Sequence, residues 1–95
     1  MSLPEAFTLD GKVALITGAG SGLGIEFAEA VAEAGGDVAC ADVNLSSAEQ
    51  TVARVEKHGR RALAIAVDVS DERQVAAMVA EAVVWSTKTA PFFIR

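Results

Sequence analysis

The sequence predicts an α/β fold of three layers, α/β/α, in which parallel strands alternate with helices as β-α-β-α-β-α in strand order 3-2-1. Three observations carry this. First, three short apolar runs, at Lys12–Thr17, Asp37–Asp42 and Arg61–Val69, lack the polar alternation of a sheet wetted on one side and so suit strands covered on both faces. Second, each run is followed by a stretch with apolar residues at helical spacing. Third, the links between runs and stretches are short, as right-handed crossovers require.

Taken in order, residues 1 to 11 read as an irregular lead-in, with Pro4 and Gly11 as breakers. The first strand runs into Gly18, Gly20, Gly22 and Gly24, a turn that lets the backbone approach a ligand closely. It opens a helix from about Gly22 to Ala34, whose inward side is Leu23, Phe27, Ala30, Val31 and Ala34. Amide donors at such a helix start make a site for a phosphate or a diphosphate. Gly35-Gly36 ends the helix and the second strand follows. The second helix is expected from Ser46, where Ser46 and Glu49 have capping-box spacing, with Ala48, Val52 and Val55 inward. The third strand leads to Ser70, read as the N-cap of a third helix with Val75, Met78, Val79, Ala82 and Val83 as its stripe.

Two acids carry the remaining signal. Asp42 ends the second strand, near the offset of about 20 residues at which a carboxylate bonds an adenosine ribose. Its two oxygens suit the two ribose hydroxyls, and its charge repels a 2′-phosphate, so NAD is expected over NADP. Asp68 ends the third strand. Ligands of open α/β sheets bind beyond the carboxyl ends of the strands, so Asp68 should share a rim with Asp42 and the turn and could hold the adenine amino group. Each has a plainer alternative, Asp42 as a turn aspartate and Asp68 as an acid near a helix N-terminus.

Composition narrows the classes. The 95 residues are 52% hydrophobic with a net charge of −5, enough for one domain and unsuited to nucleic acid. The single basic pair, Arg60-Arg61, reads as a solvated strand entry. Cys40, the only cysteine, reads as an inert buried thiol, and His58, the only histidine, as a solvent-facing last-turn cation. The first residues lack the pattern of a signal peptide, and no apolar run approaches the ~20 residues of a membrane span. A cytoplasmic protein with no membrane partner is expected.

Thr17-Gly18-Ala19-Gly20-Ser21-Gly22-Leu23-Gly24 resembles the Thr-Gly-x-x-x-Gly-x-Gly motif of the short-chain dehydrogenases/reductases. Asp42 and Asp68-Val69 fall where that family has its ribose and adenine contacts, and Leu9 to Ala14 is similar to its usual lead-in. The resemblance covers residues 7 to 83. It implies a Rossmann fold, a nicotinamide cofactor, hydride transfer between alcohols and carbonyls, and a cofactor site at Gly18, Ser21, Gly22, Leu23, Gly24, Asp42, Asp68 and Val69. The family's later Asn-Asn-Ala-Gly strand, catalytic Ser and Tyr-x-x-x-Lys have no match, and there is no tyrosine, so no residue is assigned to catalysis. The expectation is the first half of a dinucleotide fold at 1–83, binding cofactor without turnover, and an irregular tail at 84–95. Where the family has Phe-Gly-Arg the chain has Val84-Trp85-Ser86-Thr87, which a shifted reading frame near Val83 would produce. Without its fourth strand, the third helix is expected to expose Val75, Val79 and Val83 as a self-associating face. A methyltransferase using S-adenosylmethionine shares the turn and the acid after strand two; the Thr17-Gly18 start and Asp68-Val69-Ser70 fit it less well.

Overall fold

The computed structural model describes residues 12–86 and 92–94; the lead-in expected at 1 to 11 lies outside them. The elements run β1 (Val13–Thr17), α1 (Gly22–Glu33), β2 (Asp37–Asp42), α2 (Leu45–Lys57), β3 (Ala62–Ala66), α3 (Glu72–Ser86) and β4 (Phe92–Ile94). All pairings are parallel, in sheet order β3-β2-β1-β4. The expected alternation and the order 3-2-1 are both present, with one strand added.

Side-chain alternation along the strands sorts the core into two layers. Ala14 and Ile16 of β1 and Val38 and Cys40 of β2 face Ala28 and Ala32 of α1 and Ala48 and Val55 of α2. Leu15, Ala39, Ala41 and Ile65 face the other way, against Met78 and Ala82 of α3. Since β1 and β2 are buried on both faces, neither shows a polar side, which is why their sequences read as unbroken apolar runs. Cys40 is buried as expected, and burial pushes its thiol pKa up to about 12.

Several boundaries and faces depart from the expectations. The start of α2 is capped by Asn44, whose side chain accepts the Ser47 N–H at 3.1 Å, so the Ser46–Glu49 capping box is not the device used. At α3 the cap is Asp71, taking the N–H groups of Arg73 and Gln74 through Oδ1, and not Ser70. In α1 the expected Ala30 and Ala34 are buried and Phe27 and Val31 pack against a core whose innermost helix residues are Ala28 and Ala32, while Leu23 is 65% exposed and leaves the expected face. At Gly24 the helix approaches the Gly18–Ala19 turn so closely that no side chain fits there.

The face of α3 is also corrected. Val75 and Val79 pack against the second core layer and leave Val83 and Val84 as its exposed valines, because the helix lies over β2 and β3 with Met78 and Ala82 innermost. Nor is the tail irregular throughout: α3 continues to Ser86, and Phe92–Ile94 pairs with β1, Val13 beside Phe92 and Leu15 beside Ile94. The Arg60-Arg61 pair is more than a solvated entry. Arg60 meets the buried Asp37 carboxylate at 3.1 Å, and the Arg61 guanidinium lies 5.5 Å from the centre of the Trp85 ring. His58 follows the last turn of α2 and reaches Glu29 of α1 at 3.5 Å, beside the Arg54–Glu29 bridge at 3.2 Å.

Candidate functional site

Strand register assembles the site. Thr17 pairs with Ala41 and Asp42 with Ala66, so Gly18, Asp42 and the Val67-Asp68-Val69 segment all leave the sheet at its carboxyl rim. They line one cleft of about 440 Å³ with Ser21 and Val43. Of the residues singled out from sequence, Gly18, Ser21, Asp42, Asp68 and Val69 meet there. Leu23 and Gly24 line a neighbouring cleft of about 210 Å³ with Ile16, Thr17 and Phe27.

The glycines divide by task. Gly18 and Gly22 have φ of +65° and +47°, the left-handed region, and a Cβ on either would meet open space. These two give the turn its shape and leave room above it. At Gly24 a Cβ would run into the Gly18 carbonyl, and at Gly20 it would strike Ser47 and the Asp42 carboxylate. Those two serve close packing. At the start of α1 the Ser21 side chain makes no capping bond, while its carbonyl accepts the Gly24 N–H at 3.0 Å, so the helix can offer a partner only those amides that lie ahead of Gly24.

Asp42 is turned into this turn. Its Oδ2 accepts the Gly20 N–H and its Oδ1 the Asn44 N–H, each at 2.9 Å. A carboxylate offers about four acceptor positions, so both oxygens retain capacity for donors from the cleft. Asp68 uses Oδ1 for the N–H and hydroxyl of Ser70, at 3.0 and 2.7 Å, and these bonds lower its pKa. Since Asp71 caps α3, Asp68 is released from that task. Exposed apolar side chains stand around the opening, Val43 at 75% and Val69 at 63%, which suits a flat ring more than a bare anion.

Sequence reasoning did not reach Val43 and Val67 as lining residues, although both adjoin an acid that it named. It also did not reach Thr51, whose buried hydroxyl donates to the Ala19 carbonyl at 2.7 Å. Its helical spacing, three residues after Ala48 and four before Val55, was the available signal. Among the described residues no cluster of metal-ligating side chains is present, and no helix is long and apolar enough to cross a membrane.

Parallel strands ordered 3-2-1-4, with a glycine turn between β1 and α1, define a Rossmann-type α/β domain. Residues 12–88 match the family model described as short chain dehydrogenase, and the chain belongs to that family. A sorbitol dehydrogenase of Cereibacter sphaeroides is 49% identical over 73 residues, which are 77% of this chain and 27% of that protein. The crystal structure of a hydroxysteroid dehydrogenase from Escherichia coli superposes with a TM-score of 0.84 at 34% identity, over 88% of this chain and 35% of that one. An NAD+-bound xylitol dehydrogenase gives 0.80 at 35% identity, over 82% and 30%. The chain therefore spans about a third or less of the length of these relatives.

Proposed function

We propose that the cleft holds the adenosine diphosphate half of NAD, and that the whole protein is an NAD-dependent oxidoreductase moving hydride between alcohols and carbonyls. The observation that carries this is Asp42: a carboxylate anchored by two backbone amides at the strand rim, beside a left-handed glycine turn. An acid held this way presents acceptors to both ribose hydroxyls without having to reorganise. A 2′-phosphate would meet its charge, and among the described residues no Lys or Arg lines the cleft to offset it.

The residues present fit the group. In this reading the diphosphate meets the amides of the turn at Gly18, Ser21 and Gly22, with Leu23 and Gly24 at the adjoining cleft. Asp68 takes the adenine amino group, and Val69 and Val43 cover the ring. When bound, the cofactor supplies the hydride-exchanging ring; these residues bind and orient its other end. That a solved relative is NAD+-bound supports the same reading. Having no tyrosine, the 95 residues by themselves bind without turnover, as they lack a phenol to move the hydroxyl proton.

Calorimetry on the chain tests this with three ligands. NAD and ADP-ribose should bind alike, and NADP about tenfold more weakly, equivalent to one lost charge-assisted hydrogen bond. Equal affinity for NAD and NADP would remove Asp42 from the ribose. Reduction of NAD with a panel of secondary alcohols would overturn the assignment of binding without turnover.

A further inference from the structure

The Ala19–Gly20 peptide is gripped at both ends. Its N–H is held by Asp42 Oδ2 at 2.9 Å, and its carbonyl accepts from Thr51 Oγ1 at 2.7 Å. One residue earlier the Ala19 N–H is fixed to the Ala41 carbonyl at 2.9 Å. Ala19 is fully buried and Thr51 is 1% exposed, so water cannot replace the hydroxyl on the Ala19 carbonyl, whereas the Asp42 bond is half-buried. Thr51 also has a partner within its own helix, the Ser47 carbonyl, but at 3.3 Å. The shorter bond leaves the helix for the turn.

We propose that Thr51 is a positioning residue for the diphosphate: from α2 it fixes the Ala19–Gly20 peptide and thereby the aim of the turn's later amides. This rests on the cofactor reading above. A half-rotation of that peptide would turn the Ala19 carbonyl against the Asp42 carboxylate and leave Thr51 with its helical acceptor alone. Asp42 opposes the rotation from the amide end, and Thr51 from the carbonyl end. The same acid that faces the ribose thus shares one peptide with Thr51, which ties the sugar end of the cleft to the diphosphate end. Replacement by valine keeps the shape and a similar helix propensity but removes the donor, leaving a buried carbonyl without its partner.

Amide exchange and ligand titration by NMR on wild-type, Thr51→Val and Thr51→Ser chains test this. In Thr51→Val the Gly20 amide should exchange about tenfold faster while the Val55 amide, further along α2, is unchanged. ADP-ribose should bind about fivefold more weakly, as expected for one hydrogen bond. Adenosine, which has no diphosphate, should change by less than about twofold on the same grounds. Thr51→Ser should restore both properties. Equal weakening of the two ligands would reduce Thr51 to a structural role, and a Thr51→Val chain that binds ADP-ribose like wild type would overturn the assignment. A wild-type chain that takes up neither ligand is a different result, because it overturns the cofactor reading on which the assignment rests.

Discussion

Asp37 and Asp42 open and close the same strand, and β2 uses them in opposite ways. Asp37, 6% exposed, sits at the amino end. It accepts the Arg61 N–H at 2.9 Å and pairs with Arg60, tying the β3 entry to β2. Asp42, at the carboxyl end, is half-buried and among the described residues binds the backbone amides of Gly20 and Asn44. One acid meets a cation that neutralises it within the fold, while the other keeps its charge at the mouth of a cleft. In a parallel sheet the carboxyl rim is where loops open and ligands bind, whereas the amino rim is closed by returning chain. Position along the strand decides which aspartate is available for chemistry.

Removing each acid should separate the two tasks, and Cys40, buried between them on β2, reports the outcome. Asp37→Ala should have the largest effect. Breaking a buried ion pair costs ~3–5 kcal/mol, and the partial exposure of Arg60 brings this to about 2 kcal/mol. Urea unfolding should show that loss. Alkylation of Cys40, which requires opening of the fold, should accelerate about 30-fold where reclosing is fast. Affinity for ADP-ribose, measured at a temperature where the chain remains folded, should be unchanged. A stable Asp37→Ala chain with weakened binding would erase the division between the rims.

Asp42→Ala should show the converse pattern on a smaller scale. The lost acceptors serve half-exposed amides, so stability should fall by about 1 kcal/mol and Cys40 alkylation should rise by about fivefold. NAD affinity should fall about tenfold, with NADP barely affected, as expected for a lost charge-assisted bond to the ribose. Titration calorimetry beside urea unfolding reads both. If stability drops as far as for Asp37→Ala and NAD and NADP weaken together, Asp42 is a structural acid like its counterpart.

The contrast also explains what could be read from the sequence. β2 was legible to the residue, because a strand buried on both faces is an unbroken apolar run with polar residues at its ends. The place of Asp42 on the rim cleft was legible because its offset from the glycine turn is local to one β-α-β unit. Asp37 was not, since its partners Arg60 and Arg61 come from beyond α2, and a basic pair at a strand entry looks solvated until the register is known. Thr51 was missed for the same reason: its acceptor, Ala19, is 32 positions away. Sequence does not separate two cap candidates that lie within a turn of each other. Asn44 prevails over Ser46, and Asp71 over Ser70, because the point at which the chain leaves the strand selects the cap. The short β4 had no legible signal, as three residues are too few to show a period.

Asp68 gives the smallest and sharpest test of what a rim acid does. It lies at the same edge as Asp42 and is fully exposed, and the Ser70 hydroxyl and amide hold its pKa below the ordinary value of 3.8. A depressed folded-state pKa means the charged form is favoured by folding. Its contribution is present above the unfolded value of 3.8 and is lost as pH falls through the lower folded value. Ser70→Ala removes the hydroxyl bond and should lower the melting temperature slightly at every pH above 3.8, neutral pH included, with the two chains converging as pH falls through the acid limb. If Asp68 also receives the adenine amino group, adenosine affinity should fall along the same limb as the carboxylate is protonated, and in Ser70→Ala the fall should begin at higher pH. An acid limb unchanged by Ser70→Ala would show that the serine does not hold this carboxylate in solution, and would separate Asp68 from the amide-anchored behaviour of Asp42.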